Sequence, residues 1–140
     1  MNLPIPDSHF DLLTQPVHAV LSTCMPDGQP QSSLVWCDYD GECVCVNTTR
    51  ERQKGKNMTA NPTVSLLIVD PEDTSRYMEI RGQVELVEEG AIEHLDRITR
   101  KYTNHPRYYG YVYPEEQQQR ERRIICRIHA QKITLDAIHK

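Results

Sequence analysis

The stretch NTTRERQKGKNM, Asn47 to Met58, places Arg50, Arg52, Lys54 and Lys56 within seven residues and offsets them with Glu51 alone. In a chain of formal net charge −4 such a cluster is either solvated or holds an anion. A guanidinium binds an anion bidentately and an ammonium is a compact point charge, so Arg with Lys is a set suited to phosphate. The cluster follows the strand-like run CVCVN and the hydroxyls of Thr48 and Thr49, and it opens a segment of helical period. The free amides and partial positive charge of a helix N-terminus would favour the same anion. Arg52 and Lys54 are two residues apart, about 200° around a regular helix, so both face one phosphate only if Arg52 lies in the loop or first turn. The phosphate reading therefore predicts a helix that begins near Arg52 rather than at Thr48. A solvated helical face is the plain alternative.

No other pattern in the chain offers chemistry of comparable shape. The cysteines Cys24, Cys37, Cys43, Cys45 and Cys126 are odd in number and lack C-x-x-C spacing, which reads as reduced thiols. Cys43 and Cys45 share one face of a strand, and packing is the expectation for them rather than redox or metal work. His9, His18, His94, His129 and His139 are not paired into a metal site. His105, Tyr108, Tyr109, Tyr111 and Tyr113 crowd one irregular stretch, either packing on the barrel or at an interface, or forming a lid for a planar substrate. Trp36 reads as barrel packing rather than ring stacking. With pI ≈ 5.8 the field disfavours nucleic acid, and no window approaches the ~20 apolar residues of a membrane span. The N-terminus has no basic start, so the expected compartment is the cytoplasm.

The elements that must position the basic cluster follow from period and punctuation. PDSHFDLL reads as a short helix capped by Asp7 or Ser8 and ended by Pro16. VHAVLST and QSSLVWCDY form a hairpin over residues 17–38 about the turn CMPDGQP, and CVCVN follows a second turn. The basic segment is a helix stopped by Asn61 and Pro62. TVSLLIVD is a strand, and RYMEIRGQVELVEE is a long one with Gly82 as a bulge or a point of close approach. EEGAIEHLDRITRKY is a helix to about Tyr102, residues 103–119 are irregular, and RRIICRIHA and KITLDAI are two strands separated by a bend. Six or seven strands, mostly hairpin-connected, argue for one mainly β domain over residues 1–140, an antiparallel barrel with short helices.

The ordered series GQPQSSLVW, VNTTRERQKGKNMTANPTVSLLIVD, RYMEIRGQVELVEE, RKYT and RIICRIHAQKIT resembles the pyridoxamine 5′-phosphate oxidase-like split β-barrel flavoproteins. Within them, Arg52, Lys54 and Asn57 in R-x-K-x-x-N, followed by NP and RYMEIRG, are most similar to the small branch that uses the deazaflavin coenzyme F420. Other relatives use FMN, and some bind heme-related or other flat ligands. The resemblance implies a six-stranded Greek-key split barrel of the FMN-binding type, an obligate homodimer with two cofactor sites in grooves between subunits. It implies cofactor contacts from Ser32, Ser33, Leu34 and Val35 along the ring, from Asn47 and Thr48 at the ribityl chain and phosphate, from Arg52 and Lys54 as the phosphate clamp, and from Gln53 and Asn57 in the same turn, with Asn57 also bracing that turn. Gln83 and Arg123 or Arg127 are implied as contributions from the partner subunit. The implied activity is hydride transfer from F420 to a conjugated small planar molecule. An FMN oxidoreductase and a non-catalytic flavin or deazaflavin carrier or sensor are the alternatives. The C-terminal pyridoxal phosphate signature of the full oxidase is absent, so vitamin B6 oxidation is not implied.

Overall fold

A computed structural model describes residues 2–137. Seven strands, β1 (Ala19–Cys24), β2 (Pro30–Val35), β3 (Cys37–Tyr39), β4 (Val44–Thr49), β5 (Thr63–Val69), β6 (Tyr77–Val87) and β7 (Arg123–Leu135), form one sheet in the order β2-β1-β5-β6-β7-β4-β3. Every ladder is antiparallel. The two ends of that order, β2 and β3, are separated in sequence by Trp36 alone, where the chain leaves β1 and takes β4 as its partner. This change of partner curls the sheet onto itself. It also splits the single strand expected for QSSLVWCDY; with β2 and β3 taken as one run, the expected six strands are recovered.

Alternation along the strands sends Leu21, Leu66, Ile68, Met78, Ile80, Val44, Val46, Ile124, Cys126 and Ile128 into a common core. The two strands expected at the C-terminus are one, β7, and the expected bend is a bulge. Arg81 pairs with Lys132 but Gly82 with Ala130, which leaves Gln131 unpaired. Gly82 is required opposite the bulge, because a Cβ there would lie 2.0 Å from the carbonyl oxygen of His129.

Among the described residues three α-helices dress the sheet. Near the N-terminus a 3₁₀ turn (Asp7–His9) leads into α1 (Asp11–Thr14), and the expected cap is a correction. The turn starts at Asp7, so Pro6, which has no side-chain oxygen, occupies the cap position, and Ser8 Oγ bonds His9 Nδ1 at 2.8 Å. Helix α2 (Gln53–Ala60) packs so tightly on the end of β4 that a Cβ on Gly55 would meet the Thr49 carbonyl oxygen at 1.9 Å. Helix α3 (Ala91–Tyr102) lays Ala91, His94, Leu95, Ile98 and Thr99 inward. A second 3₁₀ turn (Glu115–Arg120) lies within the irregular stretch before β7. Among the described residues, no helix is long and apolar enough to cross a membrane.

Candidate functional site

Helix α2 begins at Gln53 with Arg52 as its cap residue in extended conformation, as the phosphate reading requires. The Arg52 N–H donates to Thr49 Oγ1 at 3.1 Å, which holds the turn. From this turn Arg52 and Lys54 reach one cleft of about 200 Å³, and Arg123 enters it from the first residue of β7. Lys54 Nζ donates to Ser33 Oγ at 3.1 Å. Burial, then the neighbouring Arg52 and Arg123 charges, hold the Lys54 ammonium below the ordinary lysine range.

Arg123 is 6 % exposed. Its Nε donates to Tyr109 Oη at 2.9 Å, its Nη1 lies 3.4 Å from Asn47 Oδ1, and its guanidinium covers the Tyr108 ring at 4.7 Å from the centroid. Glu121 is the one carboxylate paired with this end of the cleft among the described residues, 3.7 Å from Arg52 and 3.5 Å from Arg123. Tyr109 Oη donates to it at 2.6 Å. Burial, followed by that carboxylate, pushes the phenol up to about 12, so Tyr109 remains a donor. Three cations against one carboxylate leave a positive excess that suits a phosphate monoester.

Apart from His18 and Asn47, which also line it, the rest of the cleft is mostly apolar: Leu34, Val35, Leu95 and Ile98 on its walls, Trp36 at the partner change, and Tyr108 and Val112 from the irregular stretch. Trp36 stacks on Tyr102 with ring centroids 5.3 Å apart and planes 13° apart, and meets the edge of Tyr108. Two members of the tyrosine-rich stretch thus wall the cleft, while Tyr111 and Tyr113 stay exposed. Leu34 is 70 % exposed on the outer side of β2, so the cleft is open there.

Asn47 is fixed by its surroundings. Its Nδ2 donates to the Ala91 carbonyl at 2.8 Å and faces His94 Nδ1 at 3.1 Å, while its Oδ1 faces Arg123. Nδ1 of His94 must therefore accept, which leaves its proton on Nε2, donated to Asp38 Oδ1 at 2.9 Å. Asp38, His94, Asn47 and Arg123 form one hydrogen-bonded line from the back of α3 into the cleft.

The expected site residues divide accordingly. Leu34, Val35, Asn47, Arg52 and Lys54 line the cleft, and Ser33 touches it through Lys54. Ser32 lies outside that lining, exposed on β2 with its Oγ bonded to Ser22 Oγ at 2.8 Å. Thr48 is a correction: strand alternation turns its side chain to the core side with Val44 and Val46, 0 % exposed, and its Oγ1 has no hydrogen-bond partner among the described residues. As cofactor contacts Gln53 and Asn57 are corrections, while Asn57 is the brace it was also expected to be. Gln53 Nε2 donates to Asn57 Oδ1 at 2.8 Å, and Asn57, 2 % exposed, donates to Thr23 Oγ1 at 3.0 Å, so this i, i+4 pair braces α2 against β1. Arg50 is spent on Glu88 at 2.6 Å. Gln83 bonds Thr63, and Arg127 pairs with Asp40 and Glu85; neither reaches this chain's cleft. Arg123, expected from a partner subunit, lines the cleft of its own chain. His94 was missed, although a histidine on the Ala91–Leu95–Ile98 stripe is a signal that a polar group must find buried partners there.

Residues 5–135 match the pyridoxamine 5′-phosphate oxidase family. The chain belongs to that family. Its fold is the split barrel whose members bind flavin or deazaflavin cofactors. Among solved structures, one described as an F420 reductase is 30 % identical with TM-score 0.78, over 93 % of this chain and 98 % of that one. A conserved hypothetical protein from Mycobacterium tuberculosis is 26 % identical with TM-score 0.72, over 96 % and 85 % of the two chains. HupZ of Group A Streptococcus, 19 % identical with TM-score 0.68 over 94 % of each chain, shares the fold. Comparison with curated proteins gives no significant match. The cleft itself fits a cofactor of the family's kind: a cationic end for a phosphate and apolar walls for a flat ring.

Proposed function

We propose that this protein is an F420-dependent reductase that passes a hydride to an activated double bond of a flat, conjugated small molecule. The observation that carries the reading is the convergence of Arg52, Lys54 and Arg123 at one end of an apolar cleft, opposed by Glu121 alone among the described residues. The likeness to the F420 reductase structure supports this choice within the family. Arg52, Lys54 and Arg123 would hold the phosphate, Leu34, Val35, Leu95 and Ile98 would sandwich the ring and exclude water, and Tyr108 and Val112 would meet the substrate. Bound and reduced, F420 supplies the hydride from C5 of its ring; the chain supplies orientation, electrostatics and a dry site. The exposed Leu34 at the open side is consistent with a second copy of the chain completing each cleft in a homodimer.

One observation favours FMN as the second reading. Of Lys56 and Arg50, the candidates to line the path of the oligoglutamate tail of F420, Arg50 is paired with Glu88, whereas FMN ends at its phosphate. Titration with F420 and with FMN, followed by Trp36 fluorescence and thermal stability, separates the two. Binding of neither in the micromolar range defeats the proposal. Replacing Arg52 and Lys54 with Ala should weaken the preferred cofactor by several kcal/mol, since a hydrogen bond to a charged group contributes about 1.5–3 kcal/mol. Turnover of the reduced cofactor with a conjugated acceptor separates an enzyme from a carrier.

A further inference from the structure

His9, His94 and His129 each have both ring nitrogens engaged by neighbouring side chains. His18 differs. It lines the cleft, it is exposed, and no described residue hydrogen-bonds to its ring. The ring of His105 is similarly unbonded, but it packs on Tyr111 outside the cleft lining.

Aromatic packing places the His18 imidazole. Ala19 pairs with Val35 and both are buried, so alternation turns His18 and Trp36, one step away, to the other face, that of Leu34. The imidazole meets the Tyr102 ring edge-on, with centroids 5.6 Å apart and planes at 73°. Tyr102 is itself fixed: it stacks on Trp36, its Oη donates to the Val17 carbonyl at 2.6 Å, and that oxygen accepts from the Cys37 N–H at 3.1 Å. Ser33, which holds the Lys54 ammonium, pairs with Leu21, so roughly 10 Å of chain separates His18 from the cationic end at about 3.3 Å per residue. A flat molecule over the apolar walls therefore lies between the clamp and the imidazole.

The other proton-bearing side chains of the cleft are committed elsewhere. Arg52 and Arg123 do not deprotonate, Lys54 is bonded to Ser33, and the Tyr108 ring is covered by the Arg123 guanidinium. Imidazole is the side chain that ordinarily changes charge between pH 5 and 8. Among the described lining residues there is no carboxylate, so no protein anion competes for an imidazolium at His18.

We propose that His18 is the proton donor of the reaction and that its substrate class is an α,β-unsaturated carbonyl compound. This rests on the hydride-transfer reading above. The β-carbon of the substrate takes the hydride and forms a C–H bond, and the C=C electron pair moves toward the carbonyl oxygen to give an enolate. The imidazolium N–H breaks as its proton passes to that oxygen, and the enol tautomerises to the saturated carbonyl. The substrate is reduced by one hydride and one proton, the reduced cofactor is oxidised, and the exposed, now neutral His18 recovers its proton from water.

The test compares two acceptors with reduced F420: cyclohex-2-en-1-one, whose enolate is a strong base, and menadione, whose hydroquinone anion is a weak one. His18→Gln should lower kcat for the enone about 100-fold or more, the contribution of a general acid, and the enone-to-quinone ratio of kcat at least about tenfold. Free imidazole should restore part of the enone rate to His18→Ala, which a structural role would not allow. A readout without turnover uses p-nitrophenolate as a stand-in for the enolate oxygen, with oxidised cofactor bound. Its binding should shift the His18 ring C–H signals in NMR and weaken about tenfold or more in His18→Gln, as loss of a charge-assisted hydrogen bond requires. Thermal unfolding of each variant confirms that it is folded. A wild-type enone-to-quinone ratio and p-nitrophenolate affinity in His18→Gln overturn the inference, and loss of the enone rate in Tyr108→Phe alone would move the proton to Tyr108. If the wild type reduces neither acceptor, the hydride-transfer reading fails and the inference falls with it, a result distinct from turnover that ignores His18.

Discussion

Gly55→Ala is a perturbation whose sign separates two accounts of α2. Were the helix an exposed face carrying solvated charges, replacing the glycine in its first turn by alanine would stabilise it by up to about 1 kcal/mol. The structure predicts the opposite. The added methyl would sit 1.9 Å from the Thr49 carbonyl oxygen and 2.9 Å from the Thr49 carbonyl carbon. This is backbone, and Thr49 is paired with Arg123 across the β4–β7 ladder, so it does not rotate out of the way. To regain ordinary contact the helix must retreat by roughly 1 Å or more. Overpacking of this kind costs about 3 kcal/mol at the upper end of its usual range, and with the propensity gain subtracted about 2 kcal/mol of destabilisation remains. For a chain of this size the melting temperature should drop by roughly 4–8 °C. The same retreat carries Arg52 and Lys54 away from Arg123 and Ser33, so cofactor affinity, measured on folded protein well below the transition, should fall at least about tenfold, or 1.4 kcal/mol. Differential scanning fluorimetry and a cofactor titration read both quantities. An unchanged or higher melting temperature, or wild-type affinity, would refute the account of how the clamp is positioned.

The Lys54 ammonium gives a pH dependence with a definite sign. An anion binds its protonated form, so affinity is full below the Lys54 pKa and is lost as pH rises through it. Burial, then Arg52 and Arg123, lower that pKa from 10.5, so the loss begins earlier than for an exposed lysine. Cofactor titrations across the alkaline range should show this limb in the wild type and not in Lys54→Arg; an identical profile in the two would count against Lys54 as an anion ligand. His94→Leu should remove the donor to Asp38 and the acceptor facing Asn47, costing about 1–3 kcal/mol of stability and weakening the cofactor by freeing Asn47. Gln at the same position should restore part of both, and a melting temperature unchanged in His94→Leu would show the line of hydrogen bonds to be dispensable.

The amino-acid sequence by itself determined what depends on neighbours a few residues away. The start of α2 near Arg52 was legible because two cations spaced by two can converge only from a first turn. The long β6 was legible in its alternation, and Gly82 in its interruption. The end of α3 at Tyr102 was legible as well, since helical period is a local property. Only the tertiary structure decided what depends on distant partners. Nothing local distinguishes Trp36 from a mid-strand residue; it becomes the point of closure because β1 and β4 lie on either side of it. The bulge at Gln131 exists because β7 must keep pairing with β6 past Gly82. Thr48 and Asn47 are adjacent and both polar, and a single step of strand alternation sends one to the core and the other to the cleft; only the sheet's inside and outside settle which. Asn57 could be foreseen as a brace, but that it braces against β1 rather than touching a ligand follows from Thr23 standing beneath it. Arg123 entered its own cleft because β7 pairs with β4 from its first residue, setting that guanidinium beside Asn47. Side-chain chemistry is written in the chain, but which groups share a space is set by strand pairing across long sequence distances.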